Sequence, residues 1–321
     1  MKKRFYSFLI TVCVLTFSAC KLFQADRNIN QAPISRYDQI TAEKVLPIGD
    51  SYPPILHSDR WVAPRPVQGK INSAGLEDSP FITPDGETIF FFYTPSSDSP
   101  AEAQIHDHVT GIYLSKKENG VWQEPERVSL TKENQPALDG CPFFLNNVLW
   151  FCSIREGNFR DIDIWTADWD GKKWGNIKNA GQFLNQEIQI EEMHLSKDRG
   201  TLIFHKPDID QRNGYDLWKI QWIGDDWSQP FSLGALNSQE DDSRPALSPN
   251  EDELWFTRPH NGTPAIFRSR LVQDEWVEPE MIISQFAGEP SIDMFGNIYF
   301  THHFFQEDKM IEADTYIAEK K

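Results

Sequence analysis

The stretch from Ser79 to Phe92, SPFITPDGETIFFF, is the feature that most constrains the fold of this chain. Pro-Asp-Gly between two apolar runs indicates a tight turn, because proline presets φ, aspartate bonds the local backbone and glycine accepts a positive φ. The same strand–turn–strand plan recurs as PFFLNNVLWF, MHLSKDRGTLIF, PALSPNEDELWF and PSIDMFGNIYF, which begin at Pro142, Met193, Pro245 and Pro290. Five copies of one hairpin indicate a repeat protein whose copies pack on one another.

Two further strand patterns accompany the hairpin. One is a tryptophan strand, which begins at Trp61, Trp122, Trp174, Trp227 and Trp276. The other is an apolar strand between hairpin and tryptophan, which begins at Gly111, Asp163, Tyr215, Ala265 and Asp314. Each copy therefore supplies four short strands rich in β-branched and aromatic residues.

This pattern predicts an all-β chain that forms a five-bladed β-propeller of four-stranded blades. The tryptophan strand near Trp61 precedes the first hairpin, whereas the last copy, Glu289 to Ile317, ends without one. We therefore expect this N-terminal strand to pair with the C-terminal blade and close the ring. Six blades are the alternative, but residues 35–60 carry no hairpin pattern. We expect the recurring phenylalanines to pack between blades: Phe91, Phe151, Phe204, Phe256 and Phe300.

The N-terminus has the pattern of an export signal. Lys2, Lys3 and Arg4 precede an apolar run too short to span a membrane, and Phe17-Ser18-Ala19-Cys20 follows. These four residues resemble the lipobox of bacterial lipoproteins, which implies a signal peptide of residues 1–19 and lipidation of Cys20; a plain secretory signal is the alternative. We expect an exported protein on the periplasmic or outer-membrane side, anchored only by lipid. Residues 20–50 are then a tether, and residues 51–321 the propeller.

Charge and cysteine content narrow the partners and the compartment. The net charge of −17 disfavours nucleic acid and anionic lipid headgroups, and favours cationic ligands or metals held by acids. Asn146 and Asn147 favour a two-residue type I′ turn that sets Cys141 opposite Cys152. A cross-strand disulfide is compatible with export, although we favour two small buried thiols.

The repeated Ser/Thr-Pro-Asp-Gly turn, followed by Asp-Ile-Trp and Gly-x-Trp-x-x-Pro, resembles the TolB-like β-propeller family over about residues 56–318. The matching residues are Thr83 to Gly86, Asp163 to Trp165, Asp216 to Trp218 and the five tryptophans. The resemblance implies an envelope module that binds peptides or partner lipoproteins. TolB itself carries a second domain that this chain has no length for, so TolB's own role is not expected.

Non-repeating polar residues cluster where a propeller would open. The first strand of each blade lines the channel, and the second strand ends at the same face, which we call the mouth. Acids stand at the start of the predicted inner strands: Glu77, Asp78, Asp139, Glu191, Glu192, Asp241, Asp242 and Glu289. Tyr93, Arg155, His205, Arg258 and His302 stand at the ends of the second strands, with His194 beside the acids of the third blade. We predict these residues as ligand-binding.

Three interpretations of this mouth remain open. The acids bond backbone N–H groups and arginines as a structural network between blades, or the mouth binds a glycan, a peptide or an envelope protein. The third interpretation is a carbohydrate-active enzyme. It would be a glycoside hydrolase that uses Asp78, Glu192 and Asp242, or a lyase with a divalent metal held by His194, His205, His302 and His303 with Glu192 or Glu289. We favour the binding module; no cofactor is assured, and fold alone does not assign function.

Overall fold

The structure is a computed structural model that describes residues 35–131, 135–207 and 214–321. Cys20, the predicted signal peptide and the first part of the predicted tether lie outside the described residues. Within them the chain is all-β, with short helices at Pro47–Gly49 (3₁₀), Ala101–Gln104 (α) and Phe183–Ile188 (π). No helix in these three ranges is long and apolar enough to cross a membrane.

The strands form five successive antiparallel units behind two short N-terminal strands, β1 (Ile55–Leu56) and β2 (Arg65–Pro66). Unit 1 has β3 (Leu76–Ile82), β4 (Thr88–Thr94), β5 (Gly111–Glu118), β6 (Val121–Trp122) and β7 (Glu126–Arg127); unit 2 has β8 (Leu138–Leu145), β9 (Val148–Ile154), β10 (Asp163–Trp169) and β11 (Trp174–Asn179). Unit 3 has β12 (Met193–Leu195), β13 (Thr201–Pro207), β14 (Tyr215–Ile223), β15 (Asp226–Trp227) and β16 (Phe231–Ser232); unit 4 has β17 (Ser243–Leu247), β18 (Glu253–His260), β19 (Thr263–Val272), β20 (Glu275–Trp276) and β21 (Glu280–Ser284). Unit 5 has β22 (Ala287–Ile292), β23 (Ile298–Gln306) and β24 (Lys309–Ala318).

Within each unit the first three strands pair in chain order, and every later strand of units 1 to 4 pairs with the third. The N-terminal strands join the C-terminal units. β2 pairs with β24, where Arg65 lies opposite Ile317, and β1 pairs with β21. Trp61 bridges Lys320, so the region predicted to pair with the C-terminal strands does so. A single parallel bridge joins β24 to β3, which places units 5 and 1 in one sheet.

Among the described residues the buried core divides into five clusters, and each lies between two successive units. The recurring phenylalanines are all fully buried, and each belongs to a different cluster: Phe151 between units 1 and 2, Phe204 between 2 and 3, Phe256 between 3 and 4, Phe300 between 4 and 5, and Phe91 between 5 and 1. Their predicted packing between repeats is confirmed. The regular spacing of one aromatic ring per junction explains why the hairpin recurs in the sequence.

In four units, the first strand contains one residue more than the stretch of the second strand that it pairs with. The extra residue sits at a bulge, and a residue there has positive φ: Ser79 (48°), Cys141 (51°), Arg244 (55°) and Glu289 (59°). Proline follows each one, which suits a bulge because proline has no N–H to leave unpaired.

This bulge corrects two sequence predictions about the cysteines. Asn146 and Asn147 do have the positive φ of the predicted turn, but Gly140 rather than Cys141 lies opposite Cys152. The two thiols that we favoured are instead a Cys141–Cys152 disulfide, with Cα atoms 5.5 Å apart. The extra residue shifts the register by one, and the bulge still leaves the two cysteines within bonding reach.

Residues 35–50, which the sequence assigns to the tether, contact the strand units through charged side chains. Arg36 is almost fully buried beside Glu77 of unit 1. Lys44 Nζ lies 2.6 Å from Asp314 Oδ1, and Asp50 Oδ2 lies 2.7 Å from His302 Nε2, both in unit 5. Buried acids and imidazoles need such partners, and this segment provides them.

Candidate functional site

Ionisable side chains from four units meet at one place, which we call the central cluster: Asp78, Glu192, Arg244, Glu289 and His303. Arg244 Nε lies 2.6 Å from Glu289 Oε1 and 3.2 Å from Glu192 Oε1. Glu289 Oε1 and Glu192 Oε1 therefore lie close together, because both contact the same guanidinium nitrogen. His303 Nε2 lies 3.8 Å from Asp78 Oδ1 on the other side of the cluster.

The backbone bulges bring these side chains together. Arg244 and Glu289 are bulge residues, and Asp78 immediately precedes the bulge residue Ser79. In unit 3, Glu192 occupies the position that the bulge residue has in the other units, and its carbonyl accepts from the His205 N–H. A positive φ at a residue other than glycine costs on the order of 1–3 kcal/mol and persists only where surrounding structure enforces it. Such strain at converging charged residues is typical of functional sites.

Asp78 and Glu289 form a carboxyl pair that shares one proton. The Ser79 N–H donates to Asp78 Oδ1 at 3.0 Å and to Glu289 Oε2 at 2.7 Å, and the Thr301 hydroxyl donates to Glu289 Oε2 at 3.0 Å. Burial and the adjacent Glu289 carboxylate raise the pKa of Asp78 well above its usual range. Burial alone would raise the pKa of Glu289, but Arg244 and a hydrogen bond from Asp78 outweigh it and lower that pKa to about 2. The proton therefore resides on Asp78.

The central cluster has a net negative charge and is partly accessible to solvent. Burial is the largest influence on His303 and lowers its pKa to about 4, so the ring is neutral at pH 7. Burial raises the pKa of Glu192, with Arg244 opposing that shift. Solvent still reaches 20% of the Arg244 side chain and 23% of Glu192. One arginine faces two acids here, so the charge balance favours neutral or cationic ligands.

A histidine–carboxylate pair adjoins the cluster from unit 3. The Arg244 backbone N–H donates to His205 Nδ1 at 3.2 Å, which leaves the ring proton of neutral His205 on Nε2. That nitrogen lies 3.4 Å from Glu191 Oε2. Burial opposes ionisation of Glu191, but hydrogen bonds from His205 and Tyr215 help to lower its pKa. Polar contacts therefore run continuously from unit 3 to unit 1.

Two of the predicted acids are instead held by arginines of their own units. Asp139 Oδ1 accepts from Arg155 Nη2 at 2.5 Å and from the Ser153 hydroxyl at 2.6 Å. Asp242 Oδ1 accepts from Arg258 Nε at 2.7 Å, and its other oxygen accepts from the Ser238 N–H at 2.6 Å. These contacts match the structural-network interpretation. Asp242, predicted as catalytic, is fully buried within its clamp.

Glu77 and Tyr93 are held by the N-terminal segment. Glu77 Oε1 accepts from Arg36 Nη1 at 3.1 Å, and Glu77 Oε2 accepts from the Ser73 N–H at 2.9 Å. The Tyr93 hydroxyl donates to the Arg36 carbonyl at 2.7 Å. Both side chains are fully buried, so residues 35–50 cover this part of the predicted site.

The remaining predicted residues are dispersed. The His194 ring lies 4.6 Å from the Phe143 ring, and burial lowers its pKa to about 3. His302 is fully buried against Asp50, and Asp241 accepts from the Tyr215 N–H at 3.1 Å. The histidines predicted as a metal set therefore occupy separate environments. One metal-capable group does occur among the described residues: the ligand atoms of Asp78, Glu289 and His303 all lie within 4.8 Å of one another.

Arg244 is the main site residue that sequence reasoning missed. The sequence did carry a signal at the position directly before each recurring hairpin, which is Ser79, Cys141, Glu192, Arg244 or Glu289 in the five copies. The hairpins repeat, but this position varies and is mostly polar. A surface cavity of about 440 Å³ lies elsewhere, lined by residues 235–239 with Arg258, Glu278 and Pro279. The central cluster does not line it.

Comparison with known proteins supports the fold. No protein-family model matches the sequence, and no curated protein matches it significantly. The structure is similar to the endo-arabinase from Bacteroides thetaiotaomicron, with a TM-score of 0.50 and 13% identity over 80% of this chain and 98% of that one. It also matches a thermostable family-43 glycoside hydrolase (TM-score 0.49, 12% identity, 79% and 91% covered) and TolB from Acinetobacter baumannii (0.42, 14%, 76% and 54%). The chain spans about half of that TolB. At 13% identity the likeness to the endo-arabinase bears on fold alone, and it supports an all-β, propeller-like architecture.

Proposed function

We propose that the five units are blades of a closed five-bladed β-propeller, and that the protein is a binding module of the cell envelope. The ring is supported by the five core clusters, which follow the units in order and include one between units 5 and 1. Pairing of β2 with β24 joins the first strands to the last unit. The lipobox-like residues before Cys20 support export and lipid anchoring.

The observation that carries the binding function is the contrast between two kinds of acid. Asp139 and Asp242 are held by arginines of their own units, as structural acids are. Glu192 and Glu289 are held by an arginine from a different unit, and solvent reaches 20% of that Arg244 side chain and 23% of Glu192. Charges that only tie units together need no access to solvent, whereas the polar groups of a binding site must be reached by the ligand.

The chemistry of the cluster fits a polyhydroxylated ligand, and we propose a glycan. Sugar hydroxyls both donate and accept hydrogen bonds, so one ring can donate to Glu192 and accept from Arg244. The negative balance of the cluster disfavours anionic ligands. The side chains of a basic peptide could pair with Glu192, but lysine and arginine side chains carry no acceptor for Arg244.

Titration of neutral oligosaccharides, including arabino- and gluco-oligosaccharides, into the mature protein tests this proposal by calorimetry. Glu192→Gln removes the carboxylate at constant size and is expected to weaken binding at least tenfold with little change in melting temperature. Glu240→Gln, at an exposed position, is the matched control and should bind like the wild type. Binding of a basic peptide but of no oligosaccharide would contradict the glycan assignment.

A glycoside hydrolase is the second candidate, because the pKa values of Asp78 and Glu289 are driven apart as in an acid–base pair. Their direct hydrogen bond makes them closer than the ~5 Å that glycoside chemistry needs, so Glu192 would have to supply one of the two carboxylates. Turnover of an oligosaccharide by the wild type that Glu192→Gln abolishes would replace the binding function with this activity. Binding without turnover would support the module.

A further inference from the structure

We propose that Asp78, Glu289 and His303 form a binding site for a divalent transition-metal ion such as Zn²⁺, at the junction of units 5 and 1. The inference deepens the proposed binding function, because it names an inorganic ligand within the same central cluster. Metal binding is measured without any glycan, so the two proposals can fail separately.

The geometry requires little adjustment. The three ligand atoms lie within 4.8 Å of one another. Oxygen and nitrogen ligands lie ~2.0–2.2 Å from Zn²⁺ in a tetrahedral arrangement, so two of them are about 3.3–3.6 Å apart. Small side-chain movements close that difference. Asp78 and Glu289 are almost fully buried, and His303 is partly buried, so the ligands are already held in place.

Outer contacts orient each ligand toward the proposed ion. His303 Nδ1 lies 3.3 Å from the Phe286 carbonyl, which accepts the ring proton and leaves the Nε2 lone pair facing Asp78. A ligating histidine is usually held in this way. Glu289 is fixed by the Ser79 N–H and the Thr301 hydroxyl.

The donor set favours a transition metal over calcium or magnesium. Imidazole suits zinc, copper, iron and nickel, whereas Ca²⁺ and Mg²⁺ prefer sites built of oxygen. Three protein ligands also leave a coordination position open, as in sites where zinc meets water or a second ligand. The ion would join unit 5 to unit 1 across their single parallel bridge.

The test is calorimetric titration of ZnCl₂ into untagged, chelator-treated mature protein, with CaCl₂ as the contrast. We expect one Zn²⁺ per chain, and at least tenfold weaker binding in His303→Gln and in Asp78→Asn. The matched control is His106→Gln, at an exposed position, which should bind Zn²⁺ like the wild type. Asp78→Asn keeps the size of the side chain, so it provides the measurement if His303→Gln does not fold.

Absence of stoichiometric Zn²⁺ binding in the wild type would overturn the inference, as would unchanged affinity in folded Asp78→Asn. Tighter binding of Ca²⁺ than of Zn²⁺ would overturn the assignment to a transition metal. Zinc binding that raises the melting temperature of the wild type but not of Asp78→Asn would support it, because a ligand stabilises only the state that binds it. Oligosaccharide binding that persists in chelator would leave the proposed function intact if the metal inference fails.

Discussion

Arg36 offers the sharpest test of how the N-terminal segment is attached. The side chain is 3% exposed. Its Nη1 donates to the Ile71 carbonyl at 2.7 Å and to Glu77 at 3.1 Å, and its Nη2 donates to the Lys70 carbonyl and to the Tyr37 hydroxyl. One guanidinium therefore links residues 35–50 to the buried start of unit 1.

Arg36→Met keeps an unbranched stem of similar length and removes all of these donors. Glu77 is fully buried and would retain only Ser73 as a partner. Breaking a buried ion pair by removing one member costs about 3–5 kcal/mol, because the remaining charge is uncompensated. Glu77 can escape part of that cost by taking up a proton, since burial already raises its pKa to about 7. We therefore expect a loss of roughly 3 kcal/mol at pH 8.

The pH dependence follows from the same shift. A carboxyl whose folded pKa is raised binds more protons when folded than when unfolded, so its contribution to stability falls as pH rises through about 7. Loss of Arg36 should strengthen that effect. Arg36→Met should therefore lose less stability at pH 6 than at pH 8, and the additional change Glu77→Gln should restore part of the loss at pH 8.

Urea unfolding of the mature protein measures these differences, with equal slopes required for comparison. The matched control is Lys309→Met, which breaks the ion pair with Asp98, whose side chains are 58% and 67% exposed. Exposed pairs contribute about 0–1 kcal/mol. If Arg36→Met costs no more than Lys309→Met, residues 35–50 are not part of the cooperative fold, and the reasoning is wrong.

Three further outcomes are expected from urea unfolding. Cys141→Ala with Cys152→Ala should cost about 2–3 kcal/mol, the loop-closure value for a sequence separation of 11, and should make stability insensitive to reductant; a wild type that reductant leaves unchanged would contradict this. Histidine in the unfolded chain takes up a proton below about pH 6.5, but folded His194 remains neutral to about pH 3. The free energy of unfolding should therefore fall as pH drops below 6.5, by at most roughly 1.4 kcal/mol per pH unit. His194→Leu should flatten that decline, and equal pH dependence of stability in this variant and the wild type would contradict the assignment to His194. Trp61→Ala should cost about 3–5 kcal/mol because the ring is fully buried, whereas Trp222→Ala, at a half-exposed position, should cost less than 1 kcal/mol; equal losses would contradict the core assignment.

Local chemistry made the hairpins predictable. Positive φ at Asn146, Asn147 and Gly86 follows from residue types that tolerate it, with no knowledge of distant contacts. The buried phenylalanines also follow from the repeat, because one ring in every copy must lie at an equivalent place. Predictions of this kind depend on residues a few positions apart.

The central cluster and the N-terminal segment depend on distant pairings instead. Whether a strand contains a bulge depends on its hydrogen bonds to the neighbouring strand. In the sequence alone, Arg244 is therefore indistinguishable from an ordinary surface charge. Residues 35–50 have no apolar period, because three charged side chains attach them to partners far along the chain: Arg36, Lys44 and Asp50. Neither periodicity nor turn chemistry reports such contacts.

The bulge in the first strand of four units separates the composition of the centre from the stability of the strands. A bulge residue lacks a partner in the strand ladder. The main requirement on this residue is therefore that its backbone adopts a positive φ. Serine, cysteine, arginine and glutamate all occupy that place in this one chain, at Ser79, Cys141, Arg244 and Glu289. Single substitutions there can exchange the chemistry of the centre, one unit at a time, while the phenylalanine junctions that hold the units together remain untouched.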